Sequence, residues 1–290
     1  MIVVELQGGL GNQLFQYALG RHLAILTEAK LYVDTACLND RSKRKNFTFR
    51  TFDLDIFNIE TAVAPESISQ KYGLHKSLFH KISKRFVPPK PLRFIGEPKF
   101  SFNPEILTLP DNVYLNGYWQ SEKYFTAIKE IIKKDFTLKL SLPVHIQQLQ
   151  HEIENTNAVC LHVRRGDFVK NGMHGTLGME YYGKAALLME LKIASPVFYI
   201  FSDDINWCRE NIRLASNTIY VGNEFAGEKS GGHFSLMKAC HHFIIPNSSF
   251  GWWAAWLGNH RDKIVMAPNT WFHNSHWDTK DILPSNWITL

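Results

Sequence analysis

Cysteine is scarce in this chain: Cys37, Cys160, Cys208 and Cys240 are the only four in 290 residues. They form no CxxC pair, and three lie in or beside apolar segments, so buried reduced thiols are expected instead of a disulfide framework. No run of about 18 apolar residues occurs, which excludes a membrane-spanning helix. The opening MIVVELQGGL lacks a basic n-region, and Glu5 and Gln7 break its apolar run, so it does not read as a targeting segment. A cytoplasmic location is therefore expected, and the Asn46-Phe47-Thr48 sequon carries no meaning there. Low-complexity tracts and internal repeats are also missing. With 45% hydrophobic and 20% charged residues, the chain is globular and long enough for one large core or two medium ones.

Acidic residues are sparse in one region. Residues 41–99 hold 13 Lys and Arg against 5 Asp and Glu, in a chain whose net charge is +5. Such a surface attracts nucleic acid, anionic lipid or a phosphorylated carrier, or is simply a solvated loop region. Its aromatics (Phe47, Phe49, Phe52 and Phe57) suit packing as well as base stacking.

Ile2–Leu6 reads as a buried strand, followed by the glycine loop Gly8-Gly9-Leu10-Gly11 and a helix with apolar residues at Leu14, Phe15, Ala18, Leu19, Leu23 and Leu26. Leu31–Asp34 is a second strand, completing a βαβ unit that implies a parallel sheet. Residues 65–111, rich in proline and lysine, read as helices and irregular connections. A strand over 113–119 and a helix over 121–134 follow, and the polar segment 145–157 reads as a crossover. A second α/β pattern begins at Ala158–Val163, with strands at 197–201, 218–221, 243–245 and 264–267 and helices between them. The expectation is an α/β chain with two facing Rossmann-like lobes across a cleft. The first lobe spans 1–150 and the second 151–290, with the last segment crossing back.

Ligands in open parallel sheets bind at the carboxyl ends of strands. Four polar clusters fall there: Gly8–Gln13, Arg164–Asp167, Ser202–Asp204 and Asn247–Phe250. GGLGNQLF is not a P-loop, because no Lys-Ser/Thr follows. Gly9-x-Gly11 with Asp34 half matches a dinucleotide fingerprint, which admits an NAD-dependent oxidoreductase, but Leu14 occupies the third glycine position. Asn12 is placed to cap the helix, and the turn suits a phosphate. Arg164 and Arg165 offer planar forks of donors for phosphate oxygens. One is expected to face the ligand while the other pairs with Asp167. His162 shares a strand face with Arg164. Asp203-Asp204 reads either as a metal-nucleotide pair or as a helix N-cap. Asn247, Ser248, Ser249 and Phe250 supply hydroxyls and a helix N-terminus, while Trp252, Trp253 and Trp256 are expected in the core. His241-His242 and His273-x-x-His276 lack the companions of a zinc site.

Together GGLGNQLFQYALGR, HVRRGDF, FSDD and LMKACHHFIIPNSSFGWWAAWL resemble the bacterial α-1,2-fucosyltransferases, in the family's order and over nearly the whole chain. The resemblance implies an inverting galactoside α-1,2-fucosyltransferase of the GT-B arrangement, with an acceptor-side first lobe and a GDP-sugar-binding second lobe. It uses GDP-L-fucose with no cofactor and no obligatory metal. Arg164 or Arg165 would neutralise the departing diphosphate, with Asp167 as the nearest candidate base. Gly11, Asn12, Ser248, Ser249 and Phe250, with Asn247, would add contacts to the donor. His162, Asp203 and Asp204 would hold guanosine. His233 stands where family members commonly carry an acid. The acceptor implied is a β-galactoside of a bacterial surface glycan, on a lipid-linked carrier. Peripheral membrane contact through residues 41–99 fits that carrier, and a nucleic-acid partner does not account for the strand-end clusters.

Overall fold

The computed structural model describes residues 1–42, 48–72, 92–166, 168–169, 175–272 and 277–290. The chain forms two compact units, Met1–Thr137 with Trp277–Ile282, and Leu138–His276 with Leu283–Leu290. The boundary therefore falls at 137/138 instead of 150/151. The segment expected as a crossover is a helix of the second unit, and the piece that returns to the first unit is 277–282.

The first unit contains β1 (Ile2–Glu5), α1 (Leu10–Leu26), β2 (Leu31–Asp34), α2 (Ala36–Asn39), β3 (Ala62–Val63), α3 (Glu66–Tyr72), β4 (Arg93–Gly96), β5 (Val113–Asn116) and α4 (Lys129–Asp135). Its strands are parallel, in the order β3-β2-β1-β5-β4. β1 is central and every residue in it is buried. Gly8, at φ +77, turns the chain from β1 into α1 through a conformation that residues with a Cβ rarely adopt. α1 approaches the sheet closely at Gly20, where a Cβ would lie 2.5 Å from Val4 Cγ2 and 2.8 Å from Leu31 Cδ1. Close helix–strand packing is thus achieved later in the helix than a dinucleotide fingerprint places it. Asp34 is buried and engaged: Tyr114 Oη and Ser69 Oγ each donate to it at 2.7 Å, and the Ala36 N–H at 2.9 Å. It braces the sheet edge, which removes the ribose-binding reading. The helix expected over 121–134 is two 3-10 turns, Glu122–Tyr124 and Thr126–Ile128, leading into α4.

The second unit contains α5 (Val144–Glu154), β6 (Ala158–Val163), α6 (Met179–Lys192), β7 (Val197–Ser202), α7 (Ile205–Asn211), β8 (Thr218–Val221), α8 (Gly231–Ala239), β9 (His242–Ile244), α9 (Ser249–Leu257), β10 (Val265–Ala267) and β11 (Ile288–Thr289). The strands are again parallel, in the order β11-β10-β9-β6-β7-β8. β6 is wholly buried, and Val159, Leu161 and Val163 pack against Tyr182, Ala186 and Met189 of α6. Trp252, Trp253 and Trp256 are core residues, as expected from their spacing. Lys263 closes α9 by donating to the carbonyls of Ala255 at 2.6 Å and Gly258 at 2.8 Å, a cation at the negative end of the helix. All four cysteines are buried, and none is joined in a disulfide. Among the described residues, no helix is long and apolar enough to cross a membrane.

Candidate active site

β6 and β7 lie side by side with His162 opposite Phe201 and Val163 opposite Ser202, so the chain segments after both strands emerge together. This brings RRG and DD into contact. Arg164 Nη1 lies 2.8 Å from Asp203 Oδ2, and Arg165 Nε lies 3.3 Å from Asp204 Oδ2. The Arg165 backbone N–H donates to Asp203 Oδ1 at 2.9 Å, so one carboxylate holds both the loop and the first guanidinium. Gly166 permits this approach, since a Cβ there would lie 2.4 Å from Asp203 Oδ2. Arg165 also lies over the Trp207 ring, 3.8 Å from its centroid. The stack fixes the plane of the guanidinium and leaves most of its donors in that plane.

These contacts bear on two expectations. Among the described residues Asp203 and Asp204 hold the arginines, while Asp167, expected to pair with one of them, lies outside the described residues. Asp204 also caps α7, its Oδ1 accepting the Trp207 N–H at 3.3 Å, so the helix-cap reading of this pair is the one observed. Both carboxylates engage the arginine segment, and Asp204 engages the α7 terminus as well.

His162 is 6% exposed, and among the described residues its Nδ1 has no hydrogen-bond partner. Burial, with Arg164 and His233 adding to it, pushes its imidazole down to about 3. The ring is neutral at physiological pH, and a buried polar atom without a partner is uncommon in a folded core. Sequence reasoning treats a strand histidine as a satisfied core residue, and this one is not. It packs against the start of α9, 5.9 Å from the Phe250 ring. A Cβ on Gly251 would lie 2.5 Å from His162 Nδ1, so the glycine of NSSFGWW makes room for the histidine of HVRRGD.

His233, in the first turn of α8, contacts Phe201 edge-on at 5.8 Å. Its Nε2 donates to the Gly222 carbonyl at 2.9 Å, which leaves Nδ1 as a lone-pair acceptor. Burial lowers its basicity against the opposing pull of that carbonyl. The glycine stretch before it is a tight turn, with positive φ at Gly227, Lys229 and Ser230 and with the Gly232 N–H bonded to the Ala226 carbonyl at 2.8 Å.

The remaining candidates are placed less directly. Asn247 is buried, and its amide donates to the Trp271 carbonyl at 3.0 Å, bracing the segment before α9. Ser248 occupies the N-cap position of α9 without a side-chain capping bond, and Ser249 opens the helix. Gly11 and Asn12 belong to the first unit. Gly9 is the N-cap of α1, so Asn12 sits inside the helix, and its carbonyl oxygen accepts from Gln120 Nε2 at 2.8 Å. Gln13, fully buried, donates to the carbonyls of Gly8 and Thr51 and accepts the Asp53 N–H, latching the glycine turn to the 51–53 segment. His241 stacks on His260 at 4.2 Å, and His242 Nδ1 accepts the Ile264 N–H at 3.2 Å. His273, His276 and residues 43–47 and 73–91 of the basic stretch lie outside the described residues.

Two guanidiniums held in place at the carboxyl edge of a parallel sheet suit an anionic group such as a phosphate, and the comparisons place the chain among the glycosyltransferases. The model of glycosyl transferase family 11 matches residues 101–290. The alpha-1,2-colitosyltransferase of Escherichia coli is 30% identical over 100% of this chain and 99% of that protein. The O-antigen biosynthesis glycosyltransferase WbnK of Escherichia coli is 32% identical over 98% of this chain and 99% of that one. Rat galactoside alpha-(1,2)-fucosyltransferase 1 is 32% identical over 53% of this chain and 43% of its own length. Among solved structures, Arabidopsis thaliana FUT1 in complex with GDP superposes with a TM-score of 0.52 at 12% identity, covering 91% of this chain and 69% of that one, a likeness of fold. The chain belongs to glycosyl transferase family 11.

Proposed function

We propose that the chain transfers L-fucose from GDP-L-fucose to the 2-hydroxyl of a terminal β-galactoside, with inversion, in the synthesis of a bacterial surface glycan. The observation that carries this reading is the arginine pair, each member held by its own carboxylate at the carboxyl ends of β6 and β7. As the bond from the fucose anomeric carbon to the β-phosphate oxygen breaks, negative charge grows on GDP. Guanidiniums already fixed in place stabilise that charge with little reorganisation, so the reaction has no obligatory need of a metal. The galactose 2-oxygen forms the new bond on the opposite face and gives up its proton to solvent water. The transition state is loose, with oxocarbenium character, so the demand on a base is small. The Nδ1 atom of His233, left as an acceptor by the bond from Nε2, provides a neutral acceptor for an N–H or O–H group of the guanosine. His162, buried behind it with its Nδ1 unpartnered among the described residues, shapes that pocket wall. Ser248, Ser249 and Phe250 complete the donor contacts from α9. The enzyme works in the cytoplasm on a lipid-linked acceptor, with residues 41–99 as the region that meets anionic lipid.

The alternative within the same site is a different 6-deoxy sugar on the same nucleotide, since one relative is named for colitose, which lacks the 3-hydroxyl of fucose. A screen of GDP-L-fucose, GDP-colitose and GDP-mannose against Galβ-terminated disaccharides, with the linkage read by NMR, tests this. Transfer of fucose to galactose O2 is expected. Transfer from GDP-colitose without transfer from GDP-L-fucose would overturn the sugar assignment and leave the family membership standing.

A further inference from the structure

We propose that the carboxyl edge of the first unit's sheet is a hexose subsite for the acceptor, with Glu97 and Gln120 as the side chains that take its hydroxyls and Trp119 as the residue that positions them. This deepens the fucosyl-transfer reading and rests on it for the identity of the sugar.

Three features meet there. The first is a carboxyl group built across two strand ends. Glu97 follows β4, and its own N–H bonds the Asn116 carbonyl at the end of β5 at 2.8 Å. Its side chain then crosses to the exit of β5, where Oε2 accepts the Tyr118 N–H at 2.7 Å and Oε1 the Trp119 N–H at 3.0 Å. Gly117 lets it pass, since a Cβ there would lie 2.4 Å from Glu97 Cβ and 2.9 Å from Oε2. Each carboxyl oxygen keeps a lone pair beyond these bonds. The side chain is only partly buried.

The second feature is backbone strain. Trp119 has φ +56, a left-handed conformation that is a true outlier for a bulky residue. Such strain persists only where the surroundings enforce it, and it concentrates at binding and catalytic sites. The Glu97 carboxyl is one group that holds it, through the bond from the Trp119 N–H.

The third is incomplete hydrogen bonding. Gln120 is 5% exposed, and its amide nitrogen is committed to Asn12, while Oε1 has no partner among the described residues. The Trp119 indole N–H is buried without a partner as well. A native core rarely leaves two consecutive residues so, unless something else completes them.

The chemistry suits a polyol. A carboxyl with open lone pairs and an amide oxygen take hydroxyl protons and repel a phosphate, so this edge differs in kind from the arginine site of the second unit. Burial pushes the Glu97 carboxyl up to about 7 against the pull of its two N–H donors. The titratable groups that feel its charge are Tyr118, raised by burial, and Tyr124, raised to about 12, and both stay neutral over the range of interest.

The test compares wild type with Glu97→Gln, using a Galβ-terminated disaccharide as the probe. Binding is followed by saturation-transfer NMR without donor, KM for the disaccharide by transfer assays, and GDP affinity by calorimetry. In wild type the disaccharide binds, and its KM falls as pH rises through about 7, because the carboxylate is the better acceptor. Glu97→Gln is expected to raise that KM by about tenfold, the loss of one good hydrogen bond to a charged group. It should also flatten the pH dependence and leave GDP affinity within error. Gln120→Leu should raise the same KM and keep the pH dependence, which carries the comparison if Glu97→Gln melts early. An unchanged KM, a pH dependence that survives Glu97→Gln, or no disaccharide binding to wild type would overturn the subsite. If disaccharide binding and its loss behave as expected but no fucose is transferred from GDP-L-fucose, the donor reading fails and the subsite stands.

Discussion

Lowering the pH from about 7.5 to about 5 should destabilise the second unit through His162. An ordinary imidazole in the unfolded chain takes up a proton near pH 6.5, whereas the folded state holds this one down to about 3. Between those values the unfolded state binds the extra proton, so stability is fully present above pH 6.5 and is lost as pH falls toward 3. At pH 5 the loss from this one side chain is about 2 kcal/mol. Because His162 is 6% exposed, solvent screening takes little from that figure. Urea unfolding followed by the fluorescence of the buried tryptophans Trp252 and Trp253 measures it, in wild type and in His162→Gln at both pH values. His233 and His242 also have lowered basicity and add to the wild-type slope, so the quantity of interest is the difference between the two proteins. The variant should lose about 2 kcal/mol less than wild type on acidification. An identical loss in both, or a His162 ring resonance that titrates near 6.5, would refute the claim that this imidazole is held neutral by burial.

Arg165→Ala should lower turnover by about 10²–10³, the usual consequence of removing one fixed charge-stabilising donor, while thermal unfolding stays near wild type. Arg165→Lys should recover only part of this, because an ammonium cannot reproduce the planar stack on Trp207; steady-state rates on the two variants decide it, and equal activity in all three proteins would remove Arg165 from the donor site. Gly251→Ala puts a methyl 2.5 Å from His162 Nδ1, so either the β6 histidine or the start of α9 must move. A loss of GDP affinity, with a destabilisation of about 1–3 kcal/mol typical of overpacking, is expected in calorimetry and urea melts.

Much of the architecture was legible because it is written in short-range pattern. The buried run Ile2–Glu5, the glycine turn and the apolar stripe of α1 are local signals, as are β6, α6 and β7. The elements that were not legible have weak local signals. β3 is two exposed residues, β4 is mostly exposed, and β11 is a two-residue edge strand, so each exists through pairing with a neighbour distant in the chain. α5 reads as a polar connection because only Ile146 and Ile153 face the core. The helix expected over 121–134 starts as 3-10 turns because Ser121 caps the first turn and Phe125 then departs from helical geometry.

Residue type and order by themselves determined that two parallel α/β units would form, that polar clusters would lie at the carboxyl ends of their strands, and that one cluster would carry paired guanidiniums. Those conclusions rest on period, turn chemistry and charge, which are properties of neighbours in sequence. Tertiary structure alone decided the partners. Asp203 and Asp204 reach the arginines from 38 and 39 positions away, and Gly251 clears space for His162 from another strand–helix connection. In the other unit, Glu97 crosses to the backbone of Tyr118 and Trp119 over 21 and 22 positions. Such contacts are sensitive to differences of a few tenths of an ångström between segments whose separation in the chain says nothing about their separation in space, and only the packed sheets set those distances.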